Sequence, residues 1–268
     1  MKKYLSLYFL FAKQTVRQEL IYRASFLTGV IGQWLSYGAT FITLYIMTNY
    51  FGNLGGWKPE EVTFLYAFNL LSYALGACVF FTPCTSLPTK IRTGEFDAAL
   101  TKPVSPFLHE IFNGFNFGYI GHTILSIIVL ILSIFQLDHF ISLLNIVLFV
   151  ILLFSSAILQ AAILIFVSSF SFLTLNENPI MGRLLGNIKR FIEYPITIYN
   201  FAIQILLTFV FPIAFINFYP ATILLKAPGS SCCPQWIGYL TPLVGVFIFS
   251  LSIKFWNGCL SKYQSSGT

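Results

Sequence analysis

Six stretches of the chain stay apolar for twenty or more positions: residues 24–48, 62–82, 111–136, 141–172, 196–217 and 236–256. A helix crosses a hydrocarbon core of about 30 Å with about 20 apolar residues, so each stretch is long enough to be a span. Of the 24 Asp, Glu, Lys and Arg residues, only Lys254 falls inside one, near its end, where a lysine can reach the headgroups. The fourth stretch has 32 residues, roughly 48 Å as a helix, and must tilt or run on beyond the bilayer.

The polar positions between these stretches carry their own periodicity. Lys2, Lys3, Ser6, Lys13, Gln14 and Arg17 share one arc of a helix over residues 1–20, with Tyr4, Leu5, Tyr8, Phe9, Phe11, Ala12 and Val16 opposite. That predicts an amphipathic helix in the membrane interface. A cleaved signal peptide fits less well, because Leu10 precedes Ala12 and breaks the small-x-small site. Residues 83–110 are bracketed by prolines and interrupted by Gly94, which predicts short helices over 87–93 and 95–101, with Glu95 and Asp97 opening the second. Asn178-Pro179 starts a helix whose Arg183, Asn187, Arg190 and Tyr194 share one face, a second interfacial helix over 178–195. Residues 218–235, apolar and broken by Pro220, predict a re-entrant or interfacial hairpin.

Charge then orients the chain. With six spans, thirteen Lys and Arg residues fall on the side of both termini, and only Lys58 and Lys226 on the other. The positive-inside rule puts both termini in the cytoplasm. The net charge of +6 is therefore attraction to the inner leaflet and its lipids rather than a nucleic-acid footprint. Composition agrees: 57% hydrophobic and 9% charged residues, with a mean hydropathy of +0.80, exclude an ordinary soluble enzyme or a disordered chain.

Catalytic signatures do not emerge. The chain has no Gly-Lys pair and so no Walker A phosphate loop. His109-Glu110 opens like the zinc-protease pattern HExxH, but Asn113 stands where the second histidine belongs. His122 and His139 read as packing residues. Asn69, Asn113, Asn116, Asn145, Gln160 and Gln204 contact substrate or, more in keeping with polar residues in spans, bond helix to helix. Cys78, Cys84, Cys232, Cys233 and Cys259 form no metal spacing and read as unpaired. Gly29, Gly32, Ser36 and Ala39 form a small-residue stripe on the first span, and Gly114, Gly118 and Gly121 another on the third; either suits an internal contact or a subunit interface.

The loop Ile91-Arg-Thr-Gly-Glu-Phe-Asp-Ala-Ala-Leu-Thr-Lys-Pro-Val-Ser-Pro106 resembles the pattern I-R-x-G-E-x-D-x-x-L-x-K/R-P-x-S/N-P found in a bacterial branch of type-2 ABC exporter permeases. The segment Phe255-Trp-Asn-Gly-Cys-Leu-Ser-Lys-Tyr-Gln-Ser-Ser-Gly-Thr268 is similar to that branch's W-x-x-G-x-x-x-Y-x-S-x-G close. The resemblance covers the whole chain and implies an all-α integral membrane fold. It would be a single permease domain of six transmembrane helices, with an N-terminal interfacial helix and cytoplasmic coupling helices. It implies no ATPase activity and no cofactor in this chain; ATP and Mg would be bound by a separate ATP-binding cassette subunit. A second permease subunit, the same or homologous, would complete the complex in the bacterial inner membrane. Lys90, Arg92, Glu95 and Asp97 would face the ATPase, and the cargo would be a lipid, a peptide or a hydrophobic small molecule. No residue stands out as contacting substrate. An integral membrane enzyme acting on lipids and a noncatalytic assembly factor are the alternatives.

Overall fold

The computed structural model describes residues 2–137, 142–174, 190–226 and 231–264. Helix α1 (Lys2–Ile21) is separated from α2 (Arg23–Phe51) by Tyr22 alone. Lys13, Gln14 and Arg17 of α1 are exposed and Phe11, Ala12 and Val16 are half-buried, as the periodicity predicts. Helix α3 (Pro59–Arg92) begins on Pro59, which needs no amide partner there, and on Glu61, whose carboxylate accepts the Lys58 amide at 2.8 Å. It is followed by α4 (Glu95–Leu100), α5 (Pro106–Asn113), a 3₁₀ turn at Phe117–Tyr119, α6 (Ile120–Phe135), α7 (Leu143–Ser169) and the short α8 (Ser171–Thr174). Later come α9 (Phe201–Ile205), α10 (Phe218–Leu225) and α11 (Thr241–Leu260).

Five stretches of helix among the described residues are long and apolar enough to span a bilayer: Arg23–Tyr50, Pro59–Arg92, Phe117–Phe135, Leu143–Thr174 and Gln235–Leu260. A sixth unit is a pair of helical pieces, Phe201–Val210 and Pro212–Leu225, bent by 73°. Helix α3 is central: 67% of its most apolar window is buried, against 11% for α2. It runs parallel to α7 and α11. A Cβ on Gly76 would lie 2.7 Å from the Ala157 carbonyl, and one on Gly245 would lie 2.9 Å from that of Ser155. Only glycine lets these three backbones approach so closely. Helices α2 and α6 run the other way. Gln33 Nε2 donates to the Gly118 carbonyl at 3.2 Å, and Trp34 Nε1 to that of Gly121 at 3.0 Å, tying the two together.

Several boundaries differ from the sequence expectation, each for a local reason. The second span does not stop at 82; α3 continues through Pro83 and Pro88 to Arg92, so the expected separate helix over 87–93 is its last turns. The third span starts at Phe117 rather than 111. The chain breaks at Gly114–Asn116, where Gly114 lies so close to the Pro83 ring that a Cβ would come within 2.1 Å of it. Asn116 fills the break: its amide donates to the Cys78 carbonyl at 2.9 Å and its Nδ2 to Thr82 Oγ1 at 3.0 Å. These bonds supply partners beside a proline, where a helix's own ladder is interrupted.

The largest correction concerns residues 190–217. The stretch 196–217 is not a straight span. It consists of a 3₁₀ turn at Ile196–Ile198, α9, a π-helical turn at Leu206–Val210 and a 3₁₀ turn at Pro212–Phe215. Nor does it start at the coupling-loop end of the bundle. Thr197 Oγ1 donates to the Gly55 carbonyl at 3.0 Å, in the glycine-rich connection between α2 and α3. Trp57 of that connection lies 5.5 Å from the Phe218 ring of α10. Thr174, in contrast, follows Phe172, which packs on Phe96 at the opposite end. The chain has thus changed ends between Thr174 and Thr197. Most of the expected interfacial helix over 178–195 lies outside the described residues. Its described part, from Arg190, does not sit at the coupling-loop end, so Arg190 leaves the tally of basic residues there. Of the expected re-entrant hairpin over 218–235, residues 227–230 lie outside the described residues; its first part is α10, whose Phe218, Tyr219, Pro220, Ala221, Thr222 and Leu224 are all enclosed.

Candidate functional site

The loop singled out by its prolines and charges is built onto an aromatic base. Gly94 takes φ +74, a backbone conformation open to glycine at little cost, and turns α3 into α4. The turn drives Phe96 inward, fully buried, with its ring 5.1 Å from Phe172 and 5.5 Å from Tyr263. Trp256 of α11 completes the base, 4.8 Å from Phe172 and 5.4 Å from Phe107 of α5. The ends of α3, α7 and α11 and the whole of α4 therefore share one apolar cluster with Leu87, Ile91, Ala99 and Ile165.

The four residues expected to face a partner divide into two pairs. Arg92 and Glu95 are exposed on the loop, and so is Leu100 at the end of α4, an apolar side chain 44% exposed. Lys90 and Asp97 have partners within the chain. Lys90 Nζ donates to Glu110 Oε2 at 2.6 Å, with Glu110 buried and Lys90 partly open to solvent. Asp97 Oδ1 accepts from the Tyr263 hydroxyl at 3.0 Å. Burial and the neighbouring Asp97 push the Tyr263 phenol up to about 12, so it stays a proton donor at neutral pH. His109 Nδ1 lies 3.6 Å from Glu110 Oε1, too far for a hydrogen bond.

A second polar feature lies inside the bundle. A cleft of about 510 Å³, counting its open mouth, is lined by Tyr37 of α2, Tyr66, Asn69 and Tyr73 of α3, Gln160 of α7 and Glu193. Gln160 Nε2 lies within 3.2 Å of the Asn69 carbonyl and side-chain oxygens and 3.0 Å from Ser72 Oγ. The Tyr73 and Tyr119 hydroxyls are 3.5 Å apart. His122, buried, packs its ring 4.6 Å from Tyr37 and 5.0 Å from Tyr119, and its Nδ1 has no hydrogen-bond partner among the described residues. No group of three or more His, Cys, Asp or Glu residues suited to a metal occurs among the described residues.

Residues 34–267 match the family model described as ABC-2 family transporter protein. The chain belongs to the ABC-2 transporter family. Comparison with curated proteins and with solved structures gave no match. Membership fits the all-helical bundle and makes the chain the membrane-embedded permease of an ABC transporter. Within this permease the structure separates features that the sequence merged. Leu100 was missed as part of the exposed loop surface, although its neighbours Glu95 and Lys102 mark that surface as solvent-facing. Glu193 was missed because residues 178–195 read as an interfacial helix, which placed its carboxylate in headgroups. Asn69 and Gln160 were legible as span polar residues, and they do bond helix to helix. The stripe Gly114, Gly118, Gly121 forms internal contacts, with Pro83, Asn116 and Gln33 as neighbours, whereas Gly29 and Gly32 of α2 have nothing within 4 Å of a Cβ.

Proposed function

We propose that this permease exports a lipid, a peptide or a hydrophobic small molecule, driven by a separate ATP-binding cassette subunit that docks on α4 and its flanking turns. What supports this most is the two-faced construction of α4: Phe96 and Ala99 seat it on the helix ends, while Arg92, Glu95 and Leu100 remain exposed. An exposed surface that carries both signs of charge and an apolar side chain is suited to docking. Lys90 and Asp97 hold this surface in place through Glu110 and Tyr263 rather than contacting the ATPase themselves. ATP and Mg belong to the ATPase. A ligand-driven approach of two ATPase subunits would press on α4 and shift the packed helix ends beneath it.

In this reading both termini and α4 lie in the cytoplasm of a bacterial cell, and the glycine-rich connection at Gly52–Trp57 lies outside. The open stripe of Gly29, Gly32, Ser36 and Ala39 on the little-buried α2 is the surface for a second permease subunit. Affinity purification of the membrane complex tests the assignment. An ATPase should copurify in equal copy number, and Arg92→Glu or Glu95→Lys should cut its recovery or its cargo-stimulated hydrolysis by about ten-fold, equivalent to about 1.4 kcal/mol, with membrane insertion unchanged. Assembly and transport at wild-type levels in both variants would overturn the docking surface.

A further inference from the structure

Glu193 is one of nine acidic residues in the chain and lines the cleft between α2, α3 and α7. Depth can be measured along α3, which starts at Pro59. Tyr66 and Tyr73 stand seven and fourteen positions further on, about 10 and 20 Å along a helix axis. A carboxylate beside them lies within the thickness of a bilayer, where an ionisable group persists when something compensates it. Arg190, one turn earlier, contributes a field at Glu193, yet no ion pair joins Glu193 to any described cation within 4 Å. Among the described residues no Lys or Arg lines the cleft; three tyrosine rings do. Gln160 spends its amide hydrogens on Asn69 and Ser72, which leaves its carbonyl oxygen as an acceptor.

A carboxylate, acceptor oxygens and aromatic faces together match one chemistry, a positive charge of low hydration. We propose that this cleft binds a cationic amphiphile, an amine or quaternary ammonium carried on an apolar body. Glu193 neutralises its charge, and Tyr37, Tyr66 and Tyr73 surround it. The proposal deepens the permease assignment and rests on it only in treating the bound molecule as cargo.

Binding is measured on the full chain in phosphatidylglycerol nanodiscs, with labelled tetraphenylphosphonium as the probe and empty discs subtracted. Saturable binding is expected, weakened about ten-fold or more by Glu193→Gln and much less by Glu193→Asp. Tyr37→Phe should bind as the wild type does, and Tyr37→Leu should bind more weakly, which keeps the test decisive if the Glu193 variants do not purify as single species. Equal binding by wild type and Glu193→Gln, unchanged binding by Tyr37→Leu, or equally tight binding of tetraphenylborate would overturn the proposal. Adding phosphatidylethanolamine distinguishes two sources of the cation: competition identifies a lipid headgroup amine, and its absence a free cationic molecule, either being consistent with the site. The ATPase takes no part in this assay. Probe binding here, together with failure of the ATPase to copurify in the affinity experiment, would therefore fault the docking surface and spare the cleft, and the reverse pair of results would fault only the cleft.

Discussion

Single residues at the coupling end show what sequence alone can and cannot resolve. Lys90, Arg92, Glu95 and Asp97 read alike in one dimension: four charges in a proline-flanked loop. Three dimensions separate them, because Lys90 precedes the Gly94 turn on α3 and faces α5, where Glu110 is buried at 3% exposure. Nothing local announces that pairing, since the partners are 20 residues apart. Removing one partner of such a pair strands the other. Lys90→Ala should destabilise the permease by about 2–3 kcal/mol, below the ~3–5 of a fully buried pair because Lys90 is partly hydrated. The double variant Lys90→Leu/Glu110→Leu should regain at least half of that loss. Thermal unfolding of the purified variants in detergent checks both, and a double variant no better than Lys90→Ala would contradict the pairing argument.

Among the elements, the long apolar helices were the most legible, and their ends the least. The core of α2, α3, α6, α7 and α11 follows from apolar length, which is a local property. The break before α6 does not, because apolar Ile111, Phe112, Phe115 and Phe117 continue the hydrophobic run straight through it. The turn signal was present in Asn113-Gly114 and was outweighed by that run. What decides the break is tertiary: the Pro83 ring occupies the place where a side chain at 114 would go. Gly114→Ala should therefore cost about 1–3 kcal/mol, as overpacking does. Gly29→Ala, with nothing within 4 Å of its Cβ, should leave the stability of the single chain unchanged or slightly raised. Comparing the melting temperatures of the two variants in detergent measures the difference; equal losses would mean that the Pro83 contact does not constrain the chain. The fifth stretch was misread for a related reason. Its composition suits a span, while Pro212 and the contacts of Thr197 and Phe218 with the α2–α3 connection fold it into pieces.

For the molecule as a whole, the number of apolar segments was legible and the path between two of them was not. The placement of Thr197 beside Gly55 makes a direct prediction. In a chain whose native cysteines are replaced, Asn53→Cys and Ile198→Cys should react with an impermeant maleimide from the same face of the membrane, and Glu95→Cys from the opposite face. Labelling of positions 198 and 95 from one face would refute the described path. The aromatic base beneath α4 has a further geometric consequence. It takes side chains from α3, α7 and α11 but none from α2 or α6, which are bonded to each other through Gln33 and Trp34. Helix α6 packs closely on α3 as well as on α2, so the column least held by the others is α2, little of which is buried. The cleft lies where α2 meets the rest of the bundle, with Tyr37 on α2 and Tyr66, Tyr73 and Gln160 on α3 and α7. Any sliding of α2 past α3 widens or narrows the gap between those rings, so that a load borne at one membrane surface is registered as a change of aperture halfway across.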